Sequence, residues 1–382
     1  MKEVWINRVK HCPDIPGFCD EDEVFVDEIG DGNLNDVARL FTKNVKGEKK
    51  SSIIVKHSLP YVKCLGPDFP CTEERTRIEF CTLEKFHSLS PGSVPRPYIY
   101  DQTLHSLFME DLYGYRVMRE ELIAGCCPAN IVESVAQHLA QVHTQTHVAN
   151  IGPDNMALLV KQFENREMVQ LTENYVFTFP FKPDGLHNSC SDQVAAKLHT
   201  IYEDQQVLDT AARMLKLFLE KKECLLHGDL HTGSILVNDT DSRMFDVEFV
   251  HVGPAAFDVG MLLANFIFVY YRHMSIEENN DEHRAFAYQM VDVCKLLVST
   301  YMSHMTACVE NREEYEANLV SEMAGFAGCE IVRRLVGAAH NADLEGMPGA
   351  ESDCFSAGVR LLQAAHRIHD ADRLMVIALM LA

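Results

Sequence analysis

The chain has 382 residues, 47% hydrophobic and 24% charged, which excludes a disordered, collagenous or low-complexity protein and leaves room for two domains with separate cores. A formal net charge of −22, uninterrupted by any block of lysine or arginine, argues against nucleic acid and membrane lipid as partners and leaves a small molecule. Thirteen scattered cysteines without a CxxC pair read as reduced thiols, and no apolar run is long enough to cross a bilayer, so a cytoplasmic address is expected.

The first predicted elements fill residues 21–65. β-Branched and aromatic residues alternate there around a Gly30-Asp31-Gly32 turn and a polar VKGEKK loop, the pattern of a small antiparallel sheet. CTEERTRIEFCTLEKFHSL predicts one helix, with Ile78, Cys81, Thr82 and Leu83 as its apolar stripe, and HSLFMEDLY returns to strand. Beyond Leu112 apolar residues recur every three or four positions, which predicts helices through 133–148, 193–221 and most of 285–345 and 355–382. Between them, residues 224–250 read as two short β-rich runs joined by polar loops. The fold class is α+β, divided into 1–112 and 113–382.

The chemistry concentrates in LLHGDLHTGSILVNDTDSRMFDVEFV. In an extended strand Asp246 and Glu248 share one face while Val247 points into the core, and two carboxylates on one face suit a hard cation such as Mg2+. An isolated DxE is more often an exposed acidic strand end, so context decides. Upstream, HGDLHTGS compares with the protein-kinase loop HRDxxxxN, which makes Asp229 the group that receives the acceptor hydroxyl proton. Ser234 stands where kinases carry the metal-binding asparagine, so the second metal ligand is expected from Glu248. Zinc bound by His227, Asp229 and His231 is the alternative; the histidines read more simply as braces bonded to loop backbone.

An ATP site needs further groups. Gly30 and Gly32 let backbone N–H groups approach phosphates, although a bare GxG is also a generic hairpin turn. Lys56 follows an apolar strand one hairpin later, the spacing at which a kinase lysine reaches the α- and β-phosphates, with Glu79 or Glu84 as its helical partner. Glu110, Asp111 and Leu112 join the two parts and could offer backbone groups to an adenine ring.

EIGDGNLN, VKHSLPYVK, RTRIE, MEDL, HGDLHTGS, FDVEF, GPAAFDVG and GFAGCEIVRRLVGAAHNADLE, in that order, cover most of residues 25–345. Together they resemble the S-methyl-5-thioribose kinases, in the aminoglycoside-phosphotransferase-like branch of the protein-kinase-like fold. The resemblance implies a bilobal fold, with a small antiparallel-sheet N-lobe carrying one main helix and a larger, mainly helical C-lobe. It implies that ATP phosphorylates the 1-hydroxyl of methylthioribose, a step of methionine salvage, with Asp229 positioning or deprotonating that hydroxyl. It further implies nucleotide contacts from Asn35, Lys56, Glu110 to Leu112 and Asp246 to Glu248, converging on one magnesium-bound triphosphate, and a homodimer.

The likeness also makes Arg333 or Arg334 a ligand to sugar oxygens or to the transferring phosphate. Adjacent helical residues diverge by about 100°, so one arginine is expected at the site and the other on Glu330. Gly325 and Gly328 each weaken their helix by roughly 1 kcal/mol relative to alanine, a hint that something approaches the backbone closely there. Where the family carries a tryptophan in the loop over the sugar, this chain has Phe69. That departure leaves other acceptors in play. An amino alcohol or aminoglycoside is disfavoured by the paired arginines, and a catalytically silent nucleotide-binding homologue would be expected to lose Asp229, Asp246 or Lys56.

Overall fold

The computed structural model describes residues 1–29, 34–63, 66–127, 129–305 and 309–380. The chain forms two compact units, Met1–Tyr115 with Arg243–Val250, and Arg116–Ser242 with His251–Ala382.

Alternation in the first unit produces the expected sheet. Strands β1 (Phe25–Ile29), β2 (Asn35–Lys43), β3 (Lys49–Ser58), β4 (Pro97–Asp101) and β5 (Ser106–Glu110) form one antiparallel sheet in the order β1-β2-β3-β5-β4. In β3, Ile53 and Val55 turn toward helix α1 (Lys2–His11), where Trp5 and Val9 complete a core with Ala38, Leu40 and Phe108. Lys56 therefore points to the opposite face, against α2 (Glu74–Leu89), which buries Ile78, Thr82, Leu83 and Phe86. Helix α1 has little sequence signal beyond the i, i+4 pair Trp5 and Val9, because Val4 is an apolar residue on the exposed side and Lys2, Glu3, Arg8 and Lys10 are interspersed. The segment Arg243–Val250 is tied to this unit by Met244 N–H donating to Ser93 O at 2.8 Å and by the Arg243 guanidinium on Gly92 O.

The second unit contains β6 (Arg116–Val117), the short α3 (Met118–Ile123), α4 (Ala129–Thr146), α5 (Val148–Gln162) and α6 (Arg166–Thr172). The predicted helical stretch 193–221 divides into α7 (Asp192–Ala195), α8 (His199–Tyr202) and α9 (Gln205–Glu220). The last break occurs at Asp204, whose side chain accepts from the N–H groups of Gln206 and Val207 and so starts a new helix. Strands β7 (Cys224–Leu225), β8 (Ile235–Val237), β9 (Ser242–Met244) and β10 (Val252–Gly253) frame the polar loops; β7 pairs with β10 and β6 with β8, both antiparallel.

Helix α10 (Ala256–Met274) carries the most apolar run of the chain and is buried on every side from Ala256 to Tyr270. It packs with α4, α11 (Asn280–Met305), α12 (Arg312–Val336) and α13 (Pro348–Ala364), followed by α14 (Ala371–Leu379). Among the described residues no helix is long and apolar enough to cross a membrane. The glycines of α12 find their reason here. A Cβ on Gly328 would lie 2.8 Å from Leu362 Cγ and 3.0 Å from Gly358 O of α13, and Met214 of α9 fills the space over Gly325. The close approach is made by neighbouring helices.

Glu223 illustrates how charge is buried in this unit. Its carboxylate accepts from Ala255 N–H at 2.8 Å and Tyr315 OH at 2.9 Å, with Lys221 Nζ at 3.1 Å and His147 Nε2 at 3.4 Å. Burial pushes its pKa up, but these partners outweigh it and hold the group at about 2 against an ordinary 4.5. A depressed carboxyl contributes stability that is complete above its unfolded pKa and lost as pH falls through the folded one. Acid unfolding should accordingly steepen between about 4.5 and 2, and Glu223→Gln should flatten that limb when denaturation free energy is followed against pH.

Candidate active site

The first unit gathers its charged residues around Lys56, which is only 5% exposed. Its Nζ lies 3.0 Å from Glu79 Oε1, 3.4 Å from Glu248 Oε1, and in a short ion pair with Asp246 Oδ1. Glu79, five residues into α2, is thus the acid that sequence left undecided; Glu84 is exposed. Asn35, at the start of β2, donates from Nδ2 to Glu248 Oε2 at 2.8 Å and accepts from Arg75 Nε at 3.0 Å. Arg75 is fully buried and also binds the carbonyls of Thr72 (2.6 Å) and Leu34 (3.1 Å). Sequence reading passed over it, although it is the first arginine of RTRIE and shares a helix face with Glu79 four residues on.

The expectation of an extended strand through Asp246 and Glu248 is corrected. Strand β9 ends at Met244, and Asp246 has a left-handed backbone with φ of +64°. Aspartate tolerates that region better than most residues. The turn brings both carboxylates to Lys56 by a route that simple alternation does not describe, while Val247 is fully buried as expected.

The donor set at this point consists of oxygens. Glu248 is buried, with 2% of its side chain exposed, and Asp246 is 45% exposed. Burial, with Glu248 and Asp246 adding to it against Lys56, pushes the Glu79 carboxyl up to about 8. Magnesium takes one or two protein carboxylates and completes its shell with water and phosphate oxygens, so Asp246 and Glu248 fit it. Among the described residues no group of three or more His, Cys, Asp or Glu side chains is arranged to hold a metal.

In the second unit the loop from His227 to Ser234 is held from beneath by Asp258 of α10. This carboxylate, fully buried, accepts from the backbone N–H of His227 at 2.7 Å and of Gly228 at 3.0 Å, with His143 Nε2 at 3.2 Å. Gly228, at φ +91°, takes the left-handed turn that aims the next side chain. His227 accepts from Asp229 N–H at 3.4 Å, a loop brace. The Ser234 hydroxyl is consumed in the loop, donating to the carbonyls of Asp229 (3.1 Å) and His231 (2.8 Å) and accepting from His231 N–H (2.9 Å).

Asp229 presents a quarter of its side chain to solvent. Arg333 Nη2 donates to its Oδ1 at 3.2 Å, and His231 Nε2 stands 3.6 Å from Oδ2. Burial pushes this carboxyl up, yet His231, Arg333 and Arg334 together hold it well below the usual carboxylate range. Of the two arginines on α12, Arg333 is the one on Asp229. Both also bind Glu330, Arg334 Nε at 2.8 Å and Arg333 through a short contact, so one buried carboxylate fixes the pair. Arg119 of α3 is a third guanidinium here, with Nε 3.1 Å from buried Asp343 Oδ2 and Nη2 3.3 Å from Asn265 Oδ1.

The remaining candidates are placed as follows. Asp111 is fixed by a two-pronged bond from Arg39, at 2.7 and 3.0 Å. Glu110 pairs with Arg96 through its backbone N–H (2.9 Å) and its carboxylate (3.0 Å), and Leu112 O closes a turn with Tyr115 N–H. The side chain of Asp111 is therefore engaged with Arg39, and that of Glu110 with the backbone of Arg96. Phe69 is 36% exposed in the loop ahead of α2. Gly30 and Gly32 lie outside the described residues.

The phosphotransferase enzyme family matches residues 67–285. Methylthioribose kinases of Bacillus pumilus (strain SAFR-032) and Cronobacter sakazakii (strain ATCC BAA-894) are each 31% identical to this chain, covering 92% and 91% of it and 89% and 90% of their own lengths. The enzyme of that name from Geobacillus sp. (strain WCH70) is 34% identical over 85% of this chain and 80% of its own. Among solved structures, choline kinase from Cryptosporidium parvum Iowa II superposes with a TM-score of 0.52 at 13% identity, covering 95% of this chain and 99% of that one, which establishes the protein-kinase-like α+β fold. Matched over nearly its whole length by such relatives, the chain belongs to the methylthioribose kinase family within the phosphotransferase enzymes.

Proposed function

We propose that this protein transfers the γ-phosphoryl group of ATP to the 1-hydroxyl of S-methyl-5-thioribose, in methionine salvage. The observation that carries the choice of acceptor is the charge balance around Asp229. Three guanidinium groups, Arg119, Arg333 and Arg334, stand with three carboxylates, Asp229, Glu330 and Asp343. A cationic amino alcohol or aminoglycoside calls for negative charge in excess, whereas an uncharged sugar is suited by a neutral set of fixed donors and acceptors.

In this reading the protein contributes position and electrostatics. Asp229, kept ionised by its cationic neighbours, is a weak base. It orients the hydroxyl by accepting its hydrogen bond, and the proton leaves late, as the new P–O bond forms. Arg333 and Lys56 offset phosphate charge, Lys56 positioned by Glu79. Asn35, the backbone of Glu110 to Leu112, and residues Asp246, Val247 and Glu248 serve the nucleotide, with Asp246 and Glu248 holding magnesium, which when bound supplies charge neutralisation at the phosphates. A cytoplasmic homodimer is the form that the family likeness supports.

An ATP-consumption screen tests the reading. Methylthioribose should be turned over in preference to choline and kanamycin; turnover of either of those with none of methylthioribose would overturn it. Sedimentation of the full chain should give twice the monomer mass.

A further inference from the structure

His231 lies between two groups that the proposed function does not connect. On one side, Arg119 Nη2 is 3.4 Å from ring Nδ1, and the ring also accepts from the backbone N–H of Ser234 in a capping box. On the other, Nε2 is 3.6 Å from Asp229 Oδ2. Arg119 and a backbone N–H can only donate. The nitrogen facing them must offer its lone pair, so a neutral ring carries its proton on Nε2, toward the carboxylate.

Arg119 is itself built into place. Its Nε lies 3.1 Å from Asp343 Oδ2, and Nη2 shares Asn265 Oδ1 with the Thr232 hydroxyl, at 3.3 and 3.2 Å. Asp343 is fully buried and Asn265 is 1% exposed. Gly233 leaves the space this requires, since a Cβ there would meet Arg119 Nη1 at 2.8 Å and His231 Cε1 at 3.0 Å.

We infer that Arg119 is a positioning residue for phosphoryl transfer, fixing His231 as the neutral Nε2–H tautomer so that this N–H holds Oδ2 of Asp229 while Arg333 holds Oδ1. The kinetic part rests on the phosphotransfer reading of Asp229; the tautomer does not. The 3.6 Å separation is long for a hydrogen bond, and such contacts commonly shorten once substrate is bound. The charged groups around the ring are Asp229 on its own loop, Arg119 on α3, and Arg333 and Arg334 on α12. Burial and three guanidinium groups outweigh Asp229 and take the ring down to about 3, which agrees with a histidine that stays neutral through the physiological range.

The test is 15N-edited NMR of the full-length, histidine-labelled protein, with the His231 signal identified by its loss in His231→Gln. Wild type should show the Nε2–H tautomer and no titration near neutral pH. Arg119→Ala should restore titration or mix the tautomers, lower kcat by ~10- to ~100-fold, leave KM for ATP unchanged and add a pH dependence that wild type lacks. Arg119→Lys, which keeps a cationic donor, should retain the tautomer and much of kcat. His231→Gln, with an N–H near the position of Nε2, should outperform His231→Asn. An Nδ1–H tautomer in wild type, or an Arg119→Ala enzyme with unchanged tautomer and pH profile, would overturn the inference. If Arg119→Ala does not fold, the wild-type tautomer and Arg119→Lys decide. The spectrum needs no acceptor, so a failure to phosphorylate methylthioribose would count against the proposed substrate and leave the tautomer standing.

Discussion

Asp229→Asn is expected to lower turnover by roughly 10²- to 10⁴-fold while ATP binds as before. The substitution keeps the size of the side chain and removes its charge. Arg333 Nη2 now donates to a carboxylate oxygen at 3.2 Å, and His231 Nε2 faces the other. An amide can satisfy only one such donor with its oxygen, and its own N–H2 then opposes the second, so the residue must turn or a donor must move away. Either outcome moves the side-chain oxygens from the positions they hold now, whereas Lys56, Asn35 and Glu248 keep their contacts with one another. The measurement is a pair of titrations, nucleotide affinity without acceptor and kcat with it. Equal kcat in mutant and wild type would remove Asp229 from the mechanism.

The second large effect is expected at Asp258, which meets no substrate in this reading. Asp258→Ala leaves the buried N–H groups of His227 and Gly228 without their acceptor and deprives His143 of its anion, with His143 Nδ1 still 2.7 Å from the Tyr301 hydroxyl. Leaving a buried donor unsatisfied costs about 1–3 kcal/mol, and two such donors lose their partner here, more than an exposed ion pair contributes. Denaturant unfolding should show that loss as a lower midpoint. Because the same two N–H bonds fix the left-handed turn at Gly228, kcat should also fall in whatever fraction stays folded. A variant with an unchanged midpoint would show that the loop is held by other contacts.

The sheet and the helical half were legible because their signals are local. Alternation around residues 25–58 and the three- to four-residue spacing of apolar side chains report directly on which face is buried. Lys56 and Asp229 stand out in the sequence by their kinase-like spacing and motif, whereas Arg333 and Arg334 enter only through the family likeness. Helix α1 leaves a weak pattern, because its apolar residues Val4, Trp5, Ile6 and Val9 do not keep to one face and only Trp5 and Val9 are buried. Asp258 left a trace, a single acid in the otherwise apolar stretch from Ala255 to Ala264, and a lone charge in such a run asks for buried partners. Arg119 left none: in MREEL it looks like any surface arginine, and its place beside His231 exists only after residues far apart in sequence have packed. The geometry of Asp246 was misread for a different reason, since a left-handed aspartate cannot be inferred from an alternating pattern.

The seat of α12 has a consequence for how this enzyme family can diversify. Gly328 lets α12 approach α13 and Gly260 lets it approach α10, since a Cβ would lie 3.0 Å from Gly358 O at the first and 2.8 Å from Met323 O at the second. Arg333 and Arg334 are carried in the last turn of this closely seated helix. A descendant that gained a side chain at either glycine would have to move α12, and Arg333 and Arg334 with it.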